Sequence, residues 1–324
     1  MQLLKRKQME TSGRASGIAA SPPYWIRLLR DLRRNKYIYL MALPVVAYYF
    51  IFQYLPIYGI QIAFRDYSPS TGFLNSPFVG FKHFLSFFNS YYFWRLIKNT
   101  LMINFYELLF GFPMPILFAL LLNEIRRSWF KRTVQTISYL PHFISVVIIA
   151  GMITDFVARD GLINQFIMLL GGDAIPFLQK AEWFRAIYVG SGIWQGLGWS
   201  TIIFLAAISN IDPTLYEAAT VDGAGRWRQV LHITIPGIMP IVIIMLILQM
   251  GYMMSVGHEK IILLYNPLTY ETADVISTYV FRKGILEASY SFSTAVSLFN
   301  SVINFLLLIL ANNISRRVSE TSLW

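Results

Sequence analysis

The chain lacks cysteine altogether and has few charged residues for its length. With no Cys among 324 residues, disulfide bridges and thiolate metal sites are excluded. Charged residues make up 14% of the sequence, whereas a soluble domain carries about 25%. Apolar residues reach 56%. Since lipid-facing surface does not hold ions cheaply, this deficit of charge predicts a membrane protein.

Motifs for nucleotide binding and metal-dependent hydrolysis are also missing. The sequence contains no glycine-rich phosphate loop of the form GxxxxGK[ST] and no HExxH pattern. Four histidines are present, and no pair has the spacing of zinc ligands. We therefore expect no metal or other cofactor in this chain, and no catalytic residue.

Six apolar stretches are long enough to cross about 30 Å of hydrocarbon as helices. Several contain proline, which removes a backbone hydrogen bond and kinks a helix. Neighbouring helices satisfy the freed carbonyls in bundles that enclose a cavity. The sequence predicts an all-α bundle of six transmembrane helices, at residues 37–63, 97–123, 136–157, 187–209, 236–256 and 292–314.

The distribution of basic residues predicts the orientation. The net charge is +10, and Lys and Arg crowd the loop at 126–132 and the pair Arg316-Arg317 after the last apolar stretch. Cytoplasmic loops carry an excess of Lys and Arg, so both termini are predicted to be cytoplasmic. With no basic groove or recognition motif beside it, this charge predicts no nucleic-acid binding.

Two segments precede the first apolar stretch. Residues 1–23 are polar and small, and we interpret them as a disordered cytoplasmic tail. Residues 24–36 alternate Trp and Leu with Arg at helical spacing, which is typical of an amphipathic helix at the membrane surface. The alternative is that they are simply the start of the first span. Residues 37–324 are then predicted to form the transmembrane domain.

The sharpest motif lies between the fourth and fifth predicted spans. Asp212 is a good N-cap and Pro213 a good first helical residue, so a short helix is predicted to start there. Gly223 and Gly225 allow a sharp turn or a close approach of another surface. A second helical segment, 226–233, then leads into the fifth span. The result, over 212–235, is a helix–glycine–helix element on the predicted cytoplasmic face.

This element resembles the signature of permeases from binding-protein-dependent ABC importers, which reads Glu-Ala-Ala, three residues, Gly, nine residues, Ile-x-Leu-Pro. Ile235 stands where the family usually has Leu. The resemblance extends over most of the chain and is closest to the larger-subunit, polysaccharide-importing type, which includes alginate importers. The positions that match the signature are Glu217, Ala218, Ala219, Gly223, Ile233 and Pro236.

The resemblance implies a type I importer-permease fold in the bacterial inner membrane, with the motif acting as a coupling helix that docks on a separate ATPase. It also implies partners: a second permease, two copies of the ATPase, which bind ATP and Mg, and an extracytoplasmic sugar-binding protein. The cargo would be an oligosaccharide or polysaccharide, with alginate as one candidate. The residues expected to couple to the ATPase are Glu217, Ala218, Ala219, Asp222, Gly223 and Gly225.

Polar residues inside the predicted spans are candidates for the substrate path, because such groups are costly in lipid and usually face a cavity. Amides bond sugar hydroxyls and aromatic faces stack on sugar rings. The alternative for each is hydrogen bonding between helices, which serves packing alone. The candidates are Asn104, Glu107, Trp194, Gln195, Gln249, Asn300 and Asn304.

An acidic cargo would require cations at the outer mouth of the path. Most basic residues of the predicted external loops are better explained as solvated loop charges or interface anchors. The candidates are Lys82, Arg95, Lys98, Arg159, Lys180, Arg185, Lys260, Arg282 and Lys283.

Two other classes of function remain open from sequence. A self-contained secondary sugar carrier, driven by an ion gradient, needs a coupling-ion site in paired repeats. The chain has one intramembrane acid, Glu107, and no evident inverted repeat. A membrane-embedded enzyme needs a nucleophile–base set, and none is recognisable.

Overall fold

The computed structural model describes residues 24–318, almost all of them in helices or turns. Within this range the only β pairing is an isolated antiparallel bridge between Arg65 and Phe78. The chain divides into two compact units, Met1–Gly59 and Ile60–Trp324. The all-α prediction is confirmed for the part of the chain that the structure describes.

The first unit contains helix Tyr24–Arg34 and the beginning of the first span at Lys36. Asp31 joins the two helices, because its carboxylate accepts hydrogen bonds from the Asn35 amide and the Tyr39 hydroxyl. A helix is thus present where the amphipathic segment was predicted, and its placement at a membrane surface stays a prediction. The predicted tail, 1–23, lies outside the described residues.

Among residues 24–318, five continuous helices are long and apolar enough to cross a membrane, and a bent pair is a sixth crossing when its two halves are counted as one span. This count agrees with the six apolar spans predicted from sequence. The orientation of the termini stays a prediction. The spans are Lys36–Phe64, Phe93–Glu124, the pair Ser128–Phe143 and Val146–Leu169, Ala181–Ser209, Arg226–Met250 and Tyr290–Arg317.

The third crossing differs from the single helix predicted at 136–157. Its two halves meet at an angle of 103°. The chain forms a 3-10 turn over Leu140–Phe143, which includes Pro141, and Ile144 is extended. Ser145 then starts a new helix by accepting a hydrogen bond from the Ile148 N–H. The break follows from proline, which ends the first half, and from a serine cap, which begins the second.

In three other spans, a π-helical segment precedes a proline. Pro56, Pro113 and Pro236 each follow, by two residues, the end of a π-helical segment. Proline has no N–H to donate, and its ring clashes with the carbonyl four residues earlier. A π turn relieves both problems by bonding to the residue five positions back, as Phe112 N–H does to the Glu107 carbonyl. The π segments are Phe50–Tyr54, Glu107–Gly111 and Val230–Thr234.

Polar contacts identify the two ends of the bundle in the second unit. At one end, here called the motif end, Arg226 forms an ion pair with Glu124 at 3.4 Å. At the opposite end, the distal end, Arg185 donates to Asn99 and thereby joins the starts of the second and fourth spans. The shorter helical segments are Gly72–Asn75, Lys82–Phe88, Phe177–Gln179, Pro213–Val221, His258–Leu264, Tyr270–Ala273, Ile276–Phe281 and the π turn Arg282–Leu286.

One close approach between helices depends on glycine. Gly198, buried in the fourth span, lies against the backbone carbonyl of Ser138 in helix Ser128–Tyr139. A Cβ atom at this position would overlap that carbonyl. Small residues let helices approach closely in membranes, where the hydrophobic effect does not drive helices together. Gly198 therefore sets the distance between the fourth span and the first half of the third.

We expect Gly198→Ala to destabilise the protein by about 1–3 kcal/mol, since overpacking displaces a backbone. The matched control is Gly190→Ala on the same helix, where a Cβ atom meets no neighbour within 4 Å. That control should be neutral or slightly stabilising, because alanine favours helix. The thermal unfolding midpoint of the detergent-purified protein measures both. Equal midpoints for the two variants would contradict the close approach.

Candidate functional site

The predicted coupling helix is present at Pro213–Val221, between the fourth and fifth spans. Asp212 caps it, accepting a hydrogen bond of 2.9 Å from the Thr214 N–H. This bond from the Thr214 backbone stabilises the carboxylate and holds the pKa of Asp212 below its usual value. The short helix is therefore started by local interactions that the sequence specifies.

Gly223 ends this helix in a left-handed conformation, with φ of 75°. The Ala224 N–H then reaches back to the Ala219 carbonyl at 2.8 Å, which is the bonding of a Schellman-type helix end. Gly225 differs, because its φ of −69° is accessible to any residue, and it serves as the N-cap of Arg226–Gln229. Of the two glycines, only Gly223 therefore adopts a backbone conformation that favours glycine.

Side chains that the motif analysis did not single out anchor the element. The Tyr216 hydroxyl shares a hydrogen bond of 2.9 Å with the buried Thr234 hydroxyl. Gln229 donates to the Thr220 hydroxyl at 3.0 Å and so connects the two halves of the element. Together with the Arg226–Glu124 ion pair, these bonds fix the element to the motif end of the bundle.

The outward surface of the element carries both acidic and apolar side chains. Glu217, Ala218 and Asp222 are exposed, and Ala219 is half-buried. Val221 is 87% exposed and Trp227 is 78% exposed. Large apolar groups this open to solvent, next to an exposed carboxylate, are typical of an interaction surface.

A cavity of about 470 Å³ lies between the second, fourth and fifth spans. It brings together two of the predicted path residues, Glu107 and Gln249. Glu107 opens the π turn that precedes Pro113, and π turns recur at functional sites. The rest of the wall is mostly apolar and aromatic, and it includes Phe112, Val189, Gly192, Gly196, Trp199 and Met245.

A buried lysine near this cavity was assigned from sequence to the outer mouth. Lys260 is 8% exposed and donates to the Tyr188 carbonyl at 3.1 Å. Its ammonium lies 4.9 Å from the centre of the Tyr188 ring. A Cβ atom placed on Gly192, in the cavity wall, would lie 3.6 Å from the Lys260 ammonium, so this group is next to the cavity.

The other predicted path residues lie away from this cavity. Asn104 is buried and donates to the Thr100 carbonyl one turn back. Gln195 approaches the Ile144 carbonyl at 3.4 Å, and Trp194 is 45% exposed outside the cavity wall. Asn304 accepts from the Met254 N–H at 2.8 Å and donates to Ser255, which places it in the packing of the fifth and sixth spans.

Asn300 lines a second cavity, of about 510 Å³, between the sixth span and helix Ile276–Phe281. Its side-chain oxygen is buried and has no hydrogen-bond partner among the described residues. Asn300 and Asn304 are four residues apart and so share a face of the helix, yet they have different surroundings. The remaining polar residues of the wall of this cavity are His258, Ser277, Tyr290, Ser293, Thr294, Ser297 and Ser301.

Between residues 24 and 318, no group of three or more His, Asp or Glu side chains is arranged to hold a metal ion.

A family model matches residues 111–320, and its description is binding-protein-dependent transport system inner membrane component. The matched region includes the Glu217–Gly225 motif and the last four crossings.

Two curated relatives from Bacillus subtilis are similar over nearly their whole length. Protein LplB is 46% identical over 300 residues, which are 92% of this chain and 94% of LplB. The polygalacturonan/rhamnogalacturonan transport system permease protein YteP is 46% identical over 299 residues, 92% of this chain and 93% of YteP.

Two solved structures are also similar over nearly the whole chain. A chain from the crystal structure of a bacterial alginate ABC transporter, in complex with alginate pentasaccharide-bound periplasmic protein, superposes with a TM-score of 0.84 at 45% identity. The match covers 92% of this chain and 100% of that one. A second structure, of a bacterial ABC transporter involved in the import of the acidic polysaccharide alginate, also gives a TM-score of 0.84, at 46% identity. That match covers 90% of this chain and 99% of the other.

We predict that Asn304→Ala lowers stability by about 1–3 kcal/mol, because it leaves the buried Met254 N–H without a partner. The control is Asn313→Ala, at an exposed position of the same helix. The thermal unfolding midpoint of the purified protein should fall for the first variant and stay unchanged for the second. A normal midpoint for Asn304→Ala would return this residue to the candidate path.

Proposed function

Because the chain belongs to the family of binding-protein-dependent transport system inner membrane components, we propose that it carries an acidic oligosaccharide or polysaccharide, such as alginate, across the bacterial inner membrane. The chain is a permease subunit of a sugar ABC importer, with the type I importer-permease fold. Members of this family are transport components without an ATPase site of their own.

The assignment of an acidic cargo rests on the relatives. One is named for polygalacturonan and rhamnogalacturonan, and two similar structures come from alginate importers. Alginate and polygalacturonan are both chains of uronic acids, with a carboxylate on each sugar. Their common chemistry supports a cargo that is a negatively charged sugar chain, and alginate is one candidate within that class.

The cavity at Glu107 and Gln249 is the proposed path within this subunit. Its volume of about 470 Å³ lies within the range of small-molecule sites, about 300–1,000 Å³. Gln249 offers an amide to sugar hydroxyls, and the ring of Trp199 offers a face on which sugars stack. Glu107, near Lys260, would bond hydroxyls instead of carboxylates, because like charges repel.

The proposed assembly contains a second permease, two copies of an ATPase that binds ATP and Mg, and an extracytoplasmic sugar-binding protein. The exposed surface around Glu217 and Trp227 is where the ATPase would dock. Tyr216 and Arg226 would pass the movement of this surface to Thr234 and Glu124 in the fifth and second spans. ATP binding would then favour one of two conformations of the permease pair.

The alternative of a self-contained secondary carrier has no support in the comparisons. The family works with a binding protein, and the similar structure of the alginate importer includes one.

We predict that Gly223→Val uncouples ATP hydrolysis from transport, because a β-branched residue resists the positive φ that ends the coupling helix. Gly223→Asn is the matched control, since asparagine tolerates this conformation. In proteoliposomes with the partner subunits, the ratio of sugar imported to ATP hydrolysed should fall for valine and largely persist for asparagine. Unchanged coupling in Gly223→Val would show that the turn needs no glycine.

The uptake of a defined uronate chain tests the cargo and the path together. Proteoliposomes that contain the wild-type importer and its binding protein should import tetra-galacturonate or tetra-mannuronate when ATP is supplied. Gln249→Ala should reduce this uptake by about tenfold at normal assembly, since one lost hydrogen bond of roughly 1–1.5 kcal/mol changes an equilibrium constant by that factor.

The control for this variant is Leu248→Ala, which changes the adjacent residue outside the cavity wall. Import of neutral oligosaccharides alone would contradict the acidic cargo. Wild-type uptake by Gln249→Ala would remove this residue from the path.

A further inference from the structure

A buried carboxylate at the distal end is surrounded by more positive charge than it neutralises. Asp274 is completely buried. One of its oxygens accepts from Arg282 at 2.8 Å and from Arg95 at 3.1 Å. The other oxygen accepts from the Thr278 hydroxyl at 2.9 Å. Both arginines therefore bond the same carboxylate oxygen, Oδ2.

A third arginine joins the group through an amide. Arg185 donates to the Asn99 side-chain oxygen at 2.8 Å, and the Asn99 amide nitrogen donates to the Asp274 carbonyl at 2.9 Å. Here we call Arg95, Arg185 and Arg282 the arginine cluster. Arg95 and Arg282 thus share the Asp274 carboxylate, which leaves one positive charge in excess, and Arg185, which has no carboxylate partner among the described residues, adds a second.

Each member of the arginine cluster has one buried nitrogen with no hydrogen-bond partner. These atoms are Arg95 Nε, Arg185 Nε and Arg282 Nη1. Most buried polar groups in native proteins are paired, and an unpaired donor on a charged group is especially costly. Three such donors in one place indicate that the cluster is built for an acceptor that the described residues do not provide.

Neighbouring carboxylates do not fill this role. Glu182 pairs with Lys180 at 3.7 Å, and Glu287 pairs with Lys283 at 2.6 Å. The Glu271 side chain is exposed, and only its backbone carbonyl contacts the group, through Asn99. These carboxylates therefore leave the unpaired donors of the cluster available to an anionic ligand.

The cluster is reachable and has aromatic neighbours. The Arg95 and Arg282 side chains are 28% and 23% exposed. Arg185 also borders a groove of about 660 Å³ between the second and fourth spans. The Tyr92 and Tyr270 rings lie 4.8 and 5.3 Å from the guanidinium carbons of Arg95 and Arg282. Guanidinium groups bind carboxylates with two parallel hydrogen bonds, and aromatic rings beside them offer faces for sugar rings.

We propose that the arginine cluster is an entry subsite that binds the carboxylates of an anionic sugar chain before the chain reaches the cavity at Glu107 and Gln249. This inference rests on the proposed function and deepens it, since it names the residues that bind the negative charges of the cargo. Arg185 is its most informative member, because it forms no ion pair among the described residues and its replacement leaves both arginine bonds to Asp274 in place.

The test compares a charged and an uncharged ligand on the complete importer. The ligands are tetra-galacturonate and its fully methyl-esterified form, and binding to the detergent-solubilised complex without its binding protein is measured by calorimetry. The wild type should bind the charged form more tightly. Arg185→Gln should weaken the charged form about tenfold, in line with the loss of one charge-assisted hydrogen bond, and should leave binding of the ester unchanged.

Two further variants separate binding from folding. Arg185→Lys keeps the charge without the planar fork, so it should lose affinity for the charged form by only a few-fold, and it serves as the test if the glutamine variant does not assemble. Arg126→Gln, at an exposed position of the loop after the second span, should behave as wild type. Equal weakening of both ligands would indicate a structural role, and unchanged affinity in both Arg185 variants would also overturn the proposal.

The uptake experiment distinguishes failure of this subsite from failure of the proposed function. If the wild type does not import tetra-galacturonate or tetra-mannuronate, the acidic cargo itself is wrong. If it imports them and the Arg185 variants bind tetra-galacturonate as the wild type does, only the entry subsite is wrong.

Discussion

The constraint on which this structure depends is that backbone polar groups in hydrocarbon must be bonded within the protein. Proline breaks that rule locally, and the spans contain it repeatedly. At Pro56, Pro113 and Pro236, a π-helical segment ends two residues before the proline. At Pro141 the helix ends, and a new helix starts after the Ser145 cap. Each solution keeps the backbone bonded while changing the direction of the side chains that follow.

These irregular turns also carry polar side chains of the proposed path and of the motif end. The π turn before Pro113 begins with Glu107, which lines the central cavity. The π turn before Pro236 ends with Thr234, whose hydroxyl bonds Tyr216 of helix Pro213–Val221. The same local irregularities that accommodate proline therefore position these two polar groups.

The two ends of the bundle use polar groups differently. At the motif end, a surface with exposed Val221 and Trp227 is fixed by a few hydrogen bonds and one ion pair. At the distal end, Asp274 and the arginine cluster form a dense, partly buried network with unpaired donors. The first arrangement suits docking of a protein partner, and the second suits capture of a charged ligand.

Much of the architecture was predictable from sequence, because the length of an apolar run and the spacing of a local motif act over a few residues. The apolar runs predicted six crossings, and the cap at Asp212 and the left-handed turn at Gly223 follow from residues next to each other in the chain. The break in the third span was not predicted at its true position, although Pro141 was a signal for it. A periodic pattern does not specify on which side of a proline a new helix starts.

The use of each polar side chain was decided by tertiary structure. Of the predicted path residues, Glu107 and Gln249 share the central cavity, Asn300 lines another, and Asn304 is used in packing. Likewise, of the nine basic residues considered for the outer mouth, Arg95 and Arg282 bond the buried Asp274, and Arg185 bonds Asn99. The sequence alone determined that this chain crosses a membrane and carries the Glu217–Gly225 motif, because those properties depend on neighbours along the chain. Which charges meet depends on helices that are distant in sequence, so only the packed bundle decided it.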